Sequence, residues 1–127
     1  TWTLDSSAYD NIDAIVNGVS GVQVLKLGTA SKYGTATLSL PAGSTQLSFY
    51  AVSWNNATEA VLVFKVNGSI VGTASPAANS GLKGNTTYEL TVTESDHFQI
   101  DLGSETSTVT VETTEGYRAA LFGIIAQ

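Results

Sequence analysis

The sequence predicts an all-β fold, a two-sheet antiparallel sandwich of at least nine short strands. Three observations predict it. Apolar and polar residues alternate along short runs, and Gly, Asn, Pro or Ser breaks the alternation roughly every eight to twelve residues. One segment alone has helical spacing, and no repeat appears at a period of about 20–50 residues. Hydrophobic residues make up 43% of the 127 positions and charged ones 13%, enough apolar surface for one core and one domain.

The elements follow in order. Residues 9–16 are the helix candidate, closed by Asn17-Gly18. Residues 22–27 form the first clear strand. In 35–40, Ala36, Leu38 and Leu40 share one face, Thr37 and Ser39 the other. Pro41-Ala42-Gly43-Ser44 reads as a turn, because Pro fixes one φ and Gly tolerates a positive one. Residues 46–54 put Leu47, Phe49 and Ala51 on one face and Ser48, Tyr50, Val52 and Trp54 on the other, ending at Asn55-Asn56.

Residues 60–66 bury Leu62, Phe64 and Val66, and Asn67-Gly68 returns the chain into 69–73 as a tight hairpin. Residues 76–85 are the longest irregular stretch. Strands at 87–93, 97–102, 108–113 and 118–126 complete the set. Tyr88/Leu90/Val92, Phe98/Ile100/Leu102 and Val109/Val111 each define one buried face.

Composition narrows the function. A net charge of −6, with five Lys and Arg and no basic run, argues against nucleic acid or an anionic membrane surface as partner. The longest apolar run, 119–126, falls far short of the ~20 residues of a membrane-spanning helix. Without cysteine there is no disulfide framework, zinc–thiolate site or thiol nucleophile. Ser and Thr make up 31 residues, a surface chemistry common in exported domains. The missing cysteines favour a bacterial secreted or cell-surface protein over a stapled animal ectodomain. The chain opens Thr1-Trp2-Thr3 with no leader pattern, so residues 1–127 read as a single module excised from a longer secreted protein.

Two segments carry a resemblance. Residues 33–54 (YGTATLSLPAGSTQLSFYAVSW) and 116–126 (GYRAALFGIIA) span roughly a quarter of the chain. They resemble the jelly-roll, galactose-binding-like or carbohydrate-binding-module-like β-sandwich of secreted bacterial proteins. There a strand ending LPAG leads into an aromatic strand, and the closing strand reads R-A-small-L-F-G-I. The resemblance implies a jelly-roll sandwich, a non-catalytic role on glycans and, in many such domains, one structural calcium. It transfers no ligand residue.

The residues themselves support binding over catalysis. His97, the sole imidazole, follows Asp96, but neighbouring side chains of a strand point to opposite faces. No G-x-S-x-G elbow occurs. Glu59, Glu94, Glu105 and Glu115 fall in or beside turns, while Glu89, Asp101 and Glu112 project from outer faces, so no carboxylate pair is selected. His97 sits in line with Gln99 and Asp101 as a polar contact.

Asp10, Asn11 and Asp13 concentrate hard oxygen donors, although the EF-hand pattern is absent. Either they hold a structural calcium or Asp10 or Asp13 caps the turn before Ile15. Sugar binding needs an aromatic face with amides or charges around it. Trp54 at a strand end beside Asn55, Tyr33 after Lys32, and Arg118 after Tyr117 fit that need, with His97 as a further contact.

The expected function is therefore recognition of a poly- or oligosaccharide. The alternative is a structural or adhesive surface module that binds proteins or spaces other domains. An exposed aromatic cluster at Trp54 and Tyr33 separates the two.

Overall fold

The computed structural model describes residues 2–54, 59–82 and 88–127. Its strands are β1 (Trp2–Ser6), β2 (Ala8–Val16), β3 (Val19–Leu27), β4 (Thr35–Trp54), β5 (Val61–Val66), β6 (Ser69–Ala74), β7 (Ala78–Asn79), β8 (Tyr88–Leu90), β9 (His97–Glu115) and β10 (Ala119–Ala126). Single 3₁₀ turns occur at Ser80–Leu82 and Glu94–Asp96.

Two long strands organise the sandwich. β4 and β9 pair antiparallel from Thr35↔Glu112 to Tyr50↔His97, with register breaks between Ser39 and Gln46. At that break the ribbon passes from one layer to the other. The first half of β4 pairs with β1 and with the end of β9, which leads on through β5 to β6. The second half pairs with the start of β9 and with β10, which leads on through β3 and β2 to β8. The result is the expected jelly-roll-type sandwich.

The corner corrects one expectation. Pro41-Ala42-Gly43-Ser44 bends a continuous strand instead of reversing the chain. Gly43 takes φ +84°, and the Ser44 hydroxyl donates to the Pro41 carbonyl at 2.6 Å. Gly103, at φ +79°, supplies the matching irregularity on β9, where its N–H donates to Asp101 Oδ1 at 2.8 Å. Because both strands bend together, the ladder resumes beyond the corner.

The helix expected at 9–16 is strand β2. Its pairing with β3 breaks between Tyr9↔Lys26 and Ile12↔Val24. That bulge brings Tyr9 and Ile12, three residues apart, onto one face, opposite Lys26 and Val24 of β3, and Ile12 and Val16 then pack into a common cluster. The bulge thereby imitates helical spacing in the sequence. Asn17 (φ +50°) and Gly18 (φ +83°) form a hairpin turn to β3, as Asn67 (φ +51°) and Gly68 (φ +80°) do between β5 and β6.

Two apolar clusters result. Between the layers, the Phe49 ring lies 5.0 Å from Phe64 and 5.8 Å from Phe98, surrounded by Leu25, Leu47 and Leu121. The second lies on the outer face of the β10–β3–β2 sheet and gathers Val24, Val52, Trp54, Leu82, Leu90 and Phe122. The described residues 76–82 and 88–92 cover it, with Leu82, Tyr88, Leu90 and Val92 packed into the cluster.

That cover is fastened at both ends. Ser53, fully buried, donates from its hydroxyl to the Pro76 carbonyl and accepts the Ala60 N–H, each at 2.9 Å. Asn17 accepts the Val92 N–H at Oδ1 (2.9 Å) and donates from Nδ2 to the Val92 carbonyl (3.2 Å).

Asn17→Gly keeps the positive φ and removes only the side-chain clasp. It should destabilise the protein by about 1–2 kcal/mol and speed hydrogen exchange at the Val92 amide. Unchanged protection of that amide would mean the clasp does not hold the cover.

Candidate functional site

One end of the sandwich gathers most of the expected residues. Ala119 pairs with Ser53 on β4 and with Leu27 on β3, so the next rung sets Trp54, Arg118 and Gly28 side by side. Gly28 (φ +88°) admits no side chain, since a Cβ would lie 1.8 Å from the Tyr117 carbonyl oxygen. Gly34 is held from the other side, donating to Thr113 Oγ1 at 2.9 Å and accepting the Thr113 N–H at 3.0 Å. The β3–β4 loop is therefore pressed onto the β9–β10 turn.

This approach stacks Tyr33 on Tyr117, with ring centres 4.6 Å apart and planes 26° apart. Tyr33 remains 47% exposed. One ring face is covered by Tyr117 and the other opens to solvent. Desolvation, then the Tyr117 hydroxyl and the Glu115 carboxylate, push the Tyr33 phenol above its ordinary pKa. Tyr33 thus stays a neutral hydroxyl that can donate and accept.

Trp54 corrects an expectation. It is 4% exposed and belongs to the outer cluster, not to an open platform. Tyr88, from the covering segment, meets the indole edge-on at 6.1 Å. The Lys26 ammonium lies 4.9 Å and the Arg118 guanidinium 5.5 Å from the indole ring centre, in cation–π contact. The face assigned to Trp54 from alternation is right, but that face is covered.

Lys26 also sits 5.4 Å from the ring of Tyr9, which is 38% exposed. Burial, and then the neighbouring Arg118 charge, lower the Lys26 pKa. Tyr9 and Lys26 were not among the expected residues. Alternation from Val24 does place Lys26 on the outer face, whereas the helical reading of 9–16 hid Tyr9.

Of the other expected residues, Asn55 lies outside the described residues. His97 stands apart, its ring 4.7 Å from Tyr50, which stacks on Phe122 at 5.6 Å. Tyr50 precedes Trp54 by four residues, about 13 Å along the strand, so His97 belongs to a different patch of the same face. It begins the row His97–Gln99–Asp101 on the outer side of β9, as expected.

Asp10 and Asn11 occupy the β2 bulge, where the Asp10 carbonyl accepts from Gln23 Nε2 at 2.8 Å. Asp13 follows on the strand and points away from the face of Ile12 and Ala14. They cap no helical turn. No third acid or histidine joins Asp10 and Asp13 among the described residues.

A separate groove of about 360 Å³ runs between Trp2, Leu38 and Leu40 on one side and Ile124 and Ala126 on the other.

Trp54→Ala should cost about 3–5 kcal/mol in chemical denaturation, the range for a large core aromatic. A loss below about 1 kcal/mol would restore the exposed-platform view.

No family model and no curated protein matches the sequence. Solved structures match at low identity. The K2 cleaved adhesin domain of Lys-gingipain is 12% identical, with a TM-score of 0.64 over 99% of this chain and 89% of that one. The K1 cleaved adhesin domain of Lys-gingipain from Porphyromonas gingivalis W83 is 9% identical, with a TM-score of 0.55 over 99% and 89%. The CBM22-1 xylan-binding domain of Paenibacillus barcinonensis Xyn10C is 16% identical, with a TM-score of 0.51 over 98% and 85%. The fold is therefore the β-sandwich found in bacterial carbohydrate-binding modules and adhesin domains.

Proposed function

We propose that this chain is a non-catalytic carbohydrate-binding module of a secreted or cell-surface bacterial protein, taking its glycan at the Tyr33–Tyr117 end. The observation that carries the reading is the stacked pair itself. Tyr33, backed by Tyr117 and held by the Gly28 and Gly34 contacts, presents a pre-set aromatic face to solvent. A pyranose C–H face packs on such a ring without ordering a mobile side chain first.

Polar groups surround the platform. The two phenol hydroxyls exchange hydrogen bonds with sugar hydroxyls, and Arg118 offers a planar donor fork. Trp54 serves from beneath by positioning Arg118 and Lys26. Asn55, next in sequence to Trp54, is proposed as an amide contact to the sugar and lies outside the described residues. His97, in its patch with Tyr50, is a contact for a longer glycan crossing the face.

The engaged acids favour binding over hydrolysis. Glu112 pairs with Lys65 at 2.7 Å, Glu59 accepts the Ala78 N–H at 2.8 Å, and Asp96 accepts the Thr93 N–H at 2.9 Å. Asp5 accepts from the Thr37 hydroxyl at 2.8 Å. These carboxylates tie strands and turns together instead of facing one another across a cleft.

In affinity electrophoresis against soluble polysaccharides, Tyr33→Ala should weaken retention about tenfold, equivalent to about 1.4 kcal/mol, with little change in stability. Tyr33→Phe should keep most of it. If no glycan retards the wild type, or if Tyr33→Ala behaves like it, the structural or adhesive module becomes the reading.

A further inference from the structure

Resting on that glycan-binding reading, we infer that the sugar recognised is acidic, its carboxylate or sulfate seated at the Lys26–Arg118 pair. The chain carries net charge −6 and only five Lys and Arg residues. Two of them meet at this end, Lys26 on β3 and Arg118 on the β9–β10 turn, both against the Trp54 ring; Lys32 follows on the β3–β4 loop, next to Tyr33 in sequence and with its carbonyl near Gly28. Of the remaining two, Lys65 is tied to Glu112, and Lys83 lies outside the described residues.

Lys26 is the informative member. It is half-buried, and its contacts among the described residues are the rings of Tyr9 and Trp54 and the like charge of Arg118. No described carboxylate pairs with it. Taking an ammonium partly out of water beside a guanidinium opposes folding, and the Tyr9 and Trp54 rings give it cation–π contact with no anionic partner among the described residues. A bound anion would offset both the desolvation and the repulsion.

Arg118 supplies fork geometry suited to a carboxylate or sulfate. The exposed Tyr9 ring on one side and the Tyr33 ring on the other leave aromatic surface for the sugar body. Glu115 bears on Tyr33 and directs the anion toward the Lys26 side.

The test uses the intact chain and matched polysaccharides: polygalacturonate with its methyl ester, glucuronoxylan with unsubstituted xylan, and chondroitin sulfate with chondroitin. The first two pairs report a carboxylate and the third a sulfate. For at least one pair, the more acidic member should bind about tenfold more tightly at low salt, and the difference should shrink as salt is raised. Lys26→Met should bring that member down to the level of its partner, while Lys26→Arg should keep the preference.

Thermal denaturation checks the fold, and Lys26→Met should melt no lower than wild type because it removes a charge that burial disfavours. Equal binding within every pair, or a preference that survives Lys26→Met, would overturn the acidic-sugar inference and leave the glycan reading in place. Retention of none of the six polysaccharides, in a chain that melts cooperatively, would overturn both.

Discussion

The paired bend of β4 and β9 is the constraint on which the molecule depends. Each strand runs through both layers, so the ladder from Thr35↔Glu112 to Tyr50↔His97 fixes the register of the two sheets against each other. A bend in one strand alone would end the pairing. Two bends, with Gly43 and Gly103 at positive φ, preserve it. Phe49, Phe64 and Phe98 then meet between the layers. The end of β4 is delivered beside β10, which sets Trp54 against Arg118.

The second consequence is an outer face that cannot be left bare. Val24, Val52, Trp54 and Phe122 would form an exposed apolar patch, and residues 76–82 and 88–92 close over them. The cover is held largely by polar fastenings, Ser53 to Pro76 and Asn17 to Val92, so it is placed by hydrogen bonds as well as by packing. Trp54 changes role as a result. It is a buried anchor whose ring faces hold two cations, and the exposed aromatic surface passes to Tyr33 and Tyr9.

The candidate site was legible in part. Tyr33 and Arg118 could be singled out because each sits at a strand end beside turn chemistry. The platform made by Tyr33 with Tyr117 could not be read, since it depends on Gly28 letting two loops from distant parts of the chain touch. The cationic cluster was equally hidden. Lys26, Lys32 and Arg118 form no basic run, and Lys26 and Arg118 become neighbours only when β10 pairs with β3. His97 lies on the outer side of its strand, as alternation indicates, beside Tyr50.

By itself the sequence determined the all-β class, the Asn67-Gly68 hairpin, most strand positions and which residues of β4 and β9 share a face. These follow from period-two alternation and turn propensities, which act over a few residues. Tertiary structure decided that residues 9–16 are a bulged strand, that Pro41–Gly43 marks a corner in a continuous strand, and that Trp54 is buried. The physical reason is common to all three. Whether a bulge imitates a helix, whether a ladder survives a bend and whether an outer face meets water each depend on the partner strand or the covering segment. Those partners lie tens of residues away, beyond the reach of local pattern.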